Sequence, residues 1–246
     1  MPILMDATMQ ELKTASNYKF SAVKVDQLGA TEYTLVTIAQ DCSGSVASFD
    51  KEMEKCLGTI LSSCKKSPRA ENLLLRLIKF NDRLEEVHGF KALNTINATD
   101  YDGILQPAGN TALFDSVQSA IEATKEYAAI LHGQEFQSNA IVFIVTDGMD
   151  NHSSATAASI KKAVSKAVKE ENLESLTVVL VGISSGDPAI AVYLDGIKND
   201  AGITQFVDIG EASTNKLAKL ANFISKSISS TSQALQQGTS STLLTF

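Results

Sequence analysis

Short apolar runs alternate with longer, periodically apolar segments along most of this sequence, from Tyr33 onward. An apolar run of strand length, such as residues 140–145, is typical of a strand buried on both faces. Apolar residues that recur every three to four positions indicate a helix that buries one face. We therefore predict an α/β protein with a doubly wound, Rossmann-like and mostly parallel sheet of six strands, covered by helices on both faces.

The predicted elements follow one another in a regular order. Strands are predicted at residues 33–39, 72–80, 84–90, 140–145, 176–181 and 204–207, and helices at residues 48–64, 113–131, 157–168, 188–198 and 217–228. A turn at residues 81–83 separates the second and third strands. We therefore expect the third strand to fold back and to form the antiparallel edge of the sheet.

Length and composition favour a single domain. A chain of 246 residues with 44% hydrophobic residues can bury one large core, which we place at residues 33–230. Residues 1–32 form an N-terminal extension, in which residues 18–25 are a candidate extra strand. Residues 231–246 lack charge and are rich in Ser, Thr and Gln, so we expect a flexible tail, with a docking peptide as the alternative.

The cysteines and charges indicate where such a protein works. Of the three cysteines, Cys56 and Cys64 fall on one predicted helix, too far apart to bridge, which favours a reducing compartment. The sequence has no signal-peptide pattern at its start and no apolar stretch of membrane-span length, so we expect a cytoplasmic protein without a membrane partner. A net charge of −7 without a basic block disfavours a nucleic-acid partner.

Oxygen-bearing side chains follow two of the predicted strands and precede one predicted helix. Asp41, Ser43 and Ser45 form a D-x-S-x-S motif directly after the first strand. Asp147 lies in a Thr-Asp-Gly turn after the fourth strand, and Thr111 precedes the second helix. Loops at the carboxyl ends of parallel strands diverge at the switch point of a doubly wound sheet, so we expect these side chains to converge there. Their hydroxyl and carboxylate oxygens suit a hard cation such as Mg²⁺.

This order of motifs is similar to the metal-ion-dependent adhesion site (MIDAS) of von Willebrand factor type A (vWA) domains. The family pattern is a D-x-S-x-S loop, a Thr after a Gly-rich turn and an Asp in a Thr-Asp-Gly loop. All of its positions are filled here, by Asp41, Ser43, Ser45, Thr111 and Asp147. The resemblance implies that the two Ser hydroxyls bind the metal directly, that the Thr hydroxyl does so when the site is engaged, and that the two Asp carboxylates act largely through water.

The function that the resemblance implies is divalent-metal-dependent protein binding, as an adaptor or scaffold, and not catalysis. The family often has a second Gly where this chain has Asn110, a minor departure because Asn also tolerates the left-handed backbone. The implied cofactor is Mg²⁺ or Mn²⁺, and the implied partner is a protein that offers an Asp or Glu to the metal. The chain most resembles standalone bacterial or phage-type members, some of which work beside AAA+ ATPases of the MoxR type.

Three alternatives stay open at this point. Asp41 alone could cap the helix that follows it. A metal-dependent phosphoryl-transfer or hydrolytic enzyme would use the same ion, with His152 as the only obvious base, although the sequence has no phosphate-binding glycine loop or nucleophile elbow. A structural subunit would leave the site unoccupied, which the intact Ser43, Ser45 and Thr111 disfavour.

Overall fold

One sheet of eight strands organises the fold in the computed structural model, which describes residues 7–246. The strands are β1 (Met9–Lys13), β2 (Lys19–Val23), β3 (Glu32–Asp41), β4 (Leu73–Phe80), β5 (Leu84–Ala92), β6 (Gln137–Thr146), β7 (Leu176–Gly182) and β8 (Gln205–Asp208). Their spatial order is β1-β2-β5-β4-β3-β6-β7-β8. β3 therefore lies at the centre of the sheet, between β4 and β6.

The central strands of the sheet are parallel. β4, β3, β6, β7 and β8 pair in parallel with their neighbours, whereas β5 runs antiparallel to β4 and β1 runs antiparallel to β2. β2 and β5 pair in parallel through Ala22 and Phe90. The predicted fold class, a mostly parallel Rossmann-like α/β sheet with an antiparallel edge, is confirmed. The predicted count of six strands is wrong, because the described part of the chain has eight.

The two additional strands form an N-terminal hairpin, β1 and β2. Each has five residues and leaves part of its side chains at the surface, so the hairpin lacks the continuous apolar run of the central strands. β2 lies within the candidate strand at residues 18–25, whereas no sequence pattern predicts β1. β5 is antiparallel to β4, as expected. The hairpin extends the sheet beyond β5, so the edge strand is β1.

Five helices cover the two faces of the sheet within residues 7–246. They are α1 (Asp50–Lys65), α2 (Leu113–His132), α3 (Ala157–Lys169), α4 (Pro188–Ala201) and α5 (Thr214–Gln237). α1 and α5 share one buried cluster with Val36 and Ile38 of β3. α2, α3 and α4 share another cluster with Ala39 of the same strand. Since successive side chains of a strand point to opposite faces, the helices lie on both sides of the sheet, as predicted.

The last helix is longer than the sequence pattern predicts. α5 crosses the predicted domain boundary at residue 230 and ends at Gln237, and its final turns bury Ala234 and Leu235. This segment is rich in Ser and Thr, so a hydrophobicity pattern does not reveal which of its residues are buried. In the described part of the chain, no helix has both the length and the apolar character of a membrane span.

Candidate metal centre

The predicted metal ligands come together at one edge of the sheet. β3 and β6 pair in parallel, so the segments that follow them leave the sheet side by side. Asp41 is the last residue of β3, with Ser43 and Ser45 directly after it, and Asp147 directly follows β6. Thr111 lies in the loop that leads into α2. The parallel register therefore brings the two Asp-containing motifs to the same end of neighbouring strands.

Hydrogen bonds connect four of the five predicted ligands. Ser45 Oγ donates to Asp147 Oδ1 at 2.8 Å and lies 3.2 Å from Ser43 Oγ. The Asp41 carboxylate accepts from the Ser43 N–H at 2.8 Å and from the Thr146 hydroxyl at 2.6 Å. Asp41, Ser43 and Asp147 are buried, whereas Ser45 is exposed. The four side chains form one oxygen cluster that opens to solvent at Ser45.

Thr111 approaches this oxygen cluster from the loop before α2. Gly109 has a φ of +73°, which a Gly adopts without strain, and its carbonyl accepts the N–H of Gly44 at 3.2 Å. This bond ties the loop to the D-x-S-x-S segment. A Cβ on Gly148 would lie 3.7 Å from the Thr111 hydroxyl, so that hydroxyl faces the residue next to Asp147. The structure thus brings all five predicted side chains to the same edge.

The cluster is negatively charged and has no basic ion-pair partner in the described part of the chain. Burial raises the pKa of Asp41 to about 6, and hydrogen bonds from Thr146 and Ser43 oppose this rise. Burial also raises the pKa of Asp147, against the hydrogen bond from Ser45. Between residues 7 and 246, no Lys, Arg or His forms an ion pair with either carboxylate. A bound cation would supply the opposite charge that favours both ionised carboxylates.

The donor atoms and their spacing fit a hard divalent cation. In octahedral Mg²⁺ coordination, with bonds of about 2.1 Å, adjacent ligand oxygens lie about 3 Å apart. The oxygens of Ser43 and Ser45 are 3.2 Å apart and those of Ser45 and Asp147 are 2.8 Å apart, close to this spacing. Among the described residues, no group of three or more His, Cys, Asp or Glu side chains could hold a metal. A cation at this edge therefore depends on hydroxyl oxygens as well as on the two carboxylates.

The contacts and burial of three other side chains, Cys42, His152 and Asp187, give no indication of a chemical role. Cys42 is buried, and burial raises the pKa of its thiol to about 11, the opposite of what a nucleophile needs. His152 is exposed, and its Nδ1 lies 4.0 Å from Oδ1 of Asp82, a residue outside the predicted metal set. Asp187 caps α4 by accepting the N–H of Ala189 at 2.8 Å.

The sequence analysis missed three residues that support the site. Thr146 supports the carboxylate that ends β3, and the Thr-Asp-Gly triplet contains a usable signal for it. Asn151 Oδ1 accepts the N–H of Thr111 at 2.8 Å, and Asp82 Oδ1 accepts the N–H of Asn110 at 2.6 Å. These two bonds join residues 40 and 28 positions apart, so no local pattern indicates them.

Comparisons with known proteins give structural relatives alone. No family model and no curated protein matches the sequence. The fold is similar to that of the PilB minor pilin from Streptococcus sanguinis, with 17% identity and a TM-score of 0.59 over 89% of this chain and 66% of the pilin. It is similar to proximal thread matrix protein 1 from the mussel byssus, solved with a zinc-occupied MIDAS motif, with 19% identity and a TM-score of 0.53 over 81% of this chain and 46% of that protein. The pilus adhesin SpaC from Lactobacillus rhamnosus GG has 14% identity and a TM-score of 0.56 over 86% of this chain and 32% of the adhesin.

These relatives define the class of fold. The chain has a Rossmann-like α/β fold of the vWA type. It spans about two thirds of the pilin and less than half of the byssus protein. Because one fold carries many functions, the activities of those whole proteins do not follow from the similarity.

Proposed function

We propose that this protein binds a partner protein through a divalent cation held by Asp41, Ser43, Ser45, Thr111 and Asp147. The observation that carries the proposal is the oxygen cluster at the ends of β3 and β6, in which Ser45 Oγ lies 2.8 Å from Asp147 Oδ1 and 3.2 Å from Ser43 Oγ. The structural relatives support it, since they include a minor pilin, a pilus adhesin and a protein with a zinc-occupied MIDAS motif.

The charges of the cluster explain why binding would depend on a cation. Without one, the carboxylates of Asp41 and Asp147 repel an Asp or Glu of a partner. A bound Mg²⁺ or Mn²⁺ supplies an electrophilic centre with exchangeable waters. Ser43 and Ser45 offer neutral hydroxyls and so leave the positive charge of the ion uncancelled. The exposed side of Ser45 leaves room for a carboxylate to approach.

The surroundings of the cluster favour an adaptor or scaffold over an enzyme. Metal-dependent hydrolysis needs a general base within reach of the metal-bound water. His152 is the sequence candidate for that base, and among the described residues it makes no hydrogen bond to the five proposed ligands; its nearest ion-pair partner is Asp82, at 4.0 Å. We therefore propose binding without turnover.

Metal binding is the first test of this function. The intact chain is heated in EDTA and in Mg²⁺, Mn²⁺ or Zn²⁺, and its unfolding temperature is compared with those of Asp41→Ala and Asp195→Ala. A ligand that binds only the folded state raises this temperature, so we expect an increase in Mg²⁺ or Mn²⁺ that Asp41→Ala abolishes. Asp195 is exposed on α4, and its variant should keep the increase. An increase with Zn²⁺ alone would contradict the proposed metals, and none with any ion would contradict the metal site.

Partner binding is the second test. The immobilised protein is incubated with a lysate of the source organism in Mg²⁺, in EDTA, and as Asp41→Ala in Mg²⁺, and captured proteins are identified by mass spectrometry. We expect a partner in the first sample alone, whose binding is then repeated with the purified protein. Equal capture in all three samples would mean that binding occurs through another surface.

A further inference from the structure

Two loops carry the predicted ligands Thr111 and Asp147, and reciprocal hydrogen bonds join these loops. The N–H of Thr111 donates to Oδ1 of Asn151 at 2.8 Å, and the N–H of Asn151 donates to the carbonyl of Thr111 at 3.1 Å. Asn151 lies in the loop that begins with Asp147. The backbone position of Thr111 is therefore held against the loop that carries the other ligand.

The same loop binds the first turn of α2. Asp150 Oδ1 accepts the N–H of Phe114, and Ser153 Oγ accepts the N–H of Asp115, each at 3.1 Å. In return, the Asp115 carboxylate accepts the backbone N–H groups of residues 154 and 155, at 3.2 and 2.8 Å. Hydrogen bonds therefore run in both directions between this loop and the first turn of α2.

These bonds replace a local helix cap. The first N–H groups of a helix have no partner within the helix and are usually satisfied by the N-cap side chain. The N-cap residue of α2 is Ala112, which makes no such bond. A loop that is distant in sequence caps α2 instead, so the start of the helix and Thr111 depend on it. We name Asp115, Asp150, Asn151 and Ser153 the Thr111 clamp.

We propose that the Thr111 clamp positions Thr111 for metal-dependent binding and that Asn151 is its main positioning residue. This inference rests on the proposed function. Asn151 acts through the backbone of Thr111, which delivers the hydroxyl to the metal. Removal of residues that orient metal ligands typically weakens metal binding by about ten- to a hundredfold.

Three variants separate positioning from simple loss of stability. Asn151→Ala removes the acceptor for the Thr111 N–H, whereas Asn151→Asp keeps an oxygen at that place. The side chain of Asn151 is exposed, but its truncation leaves the N–H of the buried Thr111 without its acceptor, so Asn151→Ala should also lose some stability. Thr156→Ala is the matched control, because Thr156 caps α3 through the N–H of Ser159. Its loss costs stability in the same region without removing a bond to Thr111.

The experiment measures Mn²⁺ affinity by isothermal titration calorimetry in acetate buffer, in which acetate stands in for the partner carboxylate. We expect Asn151→Ala to weaken binding by about ten- to a hundredfold, and Asn151→Asp to restore most of the affinity. Thr156→Ala should lower the unfolding temperature and leave the affinity unchanged. In a Thr111→Ala background, Asn151→Ala should have no further effect, because the two residues act as one unit.

The possible results distinguish this inference from the proposed function. Mn²⁺ binding by the wild type with equal affinity for Asn151→Ala would overturn the clamp and leave the proposed function standing. An effect of Asn151→Ala that persists in the Thr111→Ala background would also overturn the clamp, because Asn151 would then act by another route. Failure of the wild type to bind either Mn²⁺ or Mg²⁺ in this titration would overturn the proposed function, and with it the role of the clamp in binding.

Discussion

At the scale of single residues, burial determines the properties of the candidate site. Asp41 is fully buried, and each of its carboxylate oxygens has one hydrogen-bond donor, from Ser43 or Thr146. These two bonds do not offset the loss of water around the charge, so the pKa of Asp41 rises to about 6. When no metal is bound, the ionised Asp41 carboxylate therefore lowers the stability of the folded protein. Functional sites commonly contain groups that lower stability in this way.

Replacement of Asp41 by Asn separates the effect of the buried charge from the effect on metal binding. The amide keeps the size of the side chain and can form hydrogen bonds, but it carries no charge. At pH 7 in EDTA, we expect Asp41→Asn to unfold at a temperature equal to or above that of the wild type. In Mg²⁺, the variant should show no increase. Scanning calorimetry checks both results, and a clear loss of stability in EDTA would contradict the argument.

His88 makes a pH-dependent contribution to stability away from the site. Its Nδ1 lies 3.0 Å from the carbonyl of Gly89, and its Nε2 lies 2.9 Å from the hydroxyl of Tyr101. A carbonyl only accepts, so Nδ1 carries the proton and Nε2 accepts from Tyr101. Burial lowers the pKa of His88 from 6.5 to about 4. As the pH falls through this window, the unfolded chain gains a proton that the folded protein does not, and stability is lost.

The His88→Gln variant tests this contribution. Between pH 7 and pH 5, the wild type should lose about 2 kcal/mol of unfolding free energy through this histidine, a loss that the variant lacks. Urea unfolding at the two pH values measures the difference between the proteins. Parallel pH dependence in wild type and variant would mean that His88 titrates normally in the folded state.

At the scale of elements, polar contacts attach the N-terminal hairpin to the sheet. Arg76 of β4 is buried, and its Nε donates to Glu86 of β5 at 2.7 Å. The other oxygen of the Glu86 carboxylate accepts the N–H and the hydroxyl of Ser21 in β2, at 2.8 and 2.6 Å. A Cβ on Gly89 would lie 2.0 Å from the carbonyl oxygen of Ser21, so the backbones approach too closely for any side chain there. These contacts hold β2 against β5, because the backbone pairing of the two strands is limited to Ala22 and Phe90.

Two substitutions measure the strength of this attachment. Glu86→Ala leaves Arg76 buried without a counter-charge, and we expect a loss of about 3–5 kcal/mol in unfolding free energy. Ser21→Ala removes one hydroxyl bond, with an expected loss of about 1 kcal/mol. Urea unfolding gives both values, and hydrogen exchange should show faster opening of residues 9–23 in Glu86→Ala. Equal, small losses would mean that the carboxylate does not stabilise the guanidinium.

At the scale of the whole molecule, the sequence predicts elements that repeat a strong pattern. β3 to β8 and the five helices coincide with predicted segments, and the most strongly predicted strands, β3 and β6, bury a continuous run of residues. β1 is short and half-exposed, and its pairing depends on long-range contacts that no local pattern records. The convergence of the five candidate side chains was predictable, since each lies in a short motif at a strand end or a helix start, whereas their binding of a metal stays a prediction. Asn151 and Asp115 were not, because their roles depend on partners in distant loops.

The C-terminal segment differs clearly between the sequence-based prediction and the structure. Its composition predicts a flexible tail at residues 231–246. In the structure, Leu244 packs against the core cluster of α1 and α5, and its carbonyl accepts a hydrogen bond from Gln205 at 2.8 Å. The ring of Phe246 meets the ring of Phe223 edge-on, with centroids 5.9 Å apart. These contacts indicate a segment that stabilises the domain.

Deletion of residues 239–246 should therefore lower the free energy of unfolding by about 1–2 kcal/mol, because Leu244 is partly buried and a fully buried Leu contributes about 1.5–3 kcal/mol. Leu244→Ser should reproduce most of this loss, whereas Leu243→Ser should have little effect, because Leu243 is 50% exposed. Urea unfolding compares the three proteins with the wild type. Metal binding should stay unchanged in all of them, since the segment contacts β8 and α5 and not the oxygen cluster. If the deletion and Leu244→Ser both left the unfolding curve unchanged, the segment would be mobile in solution, as its composition predicts.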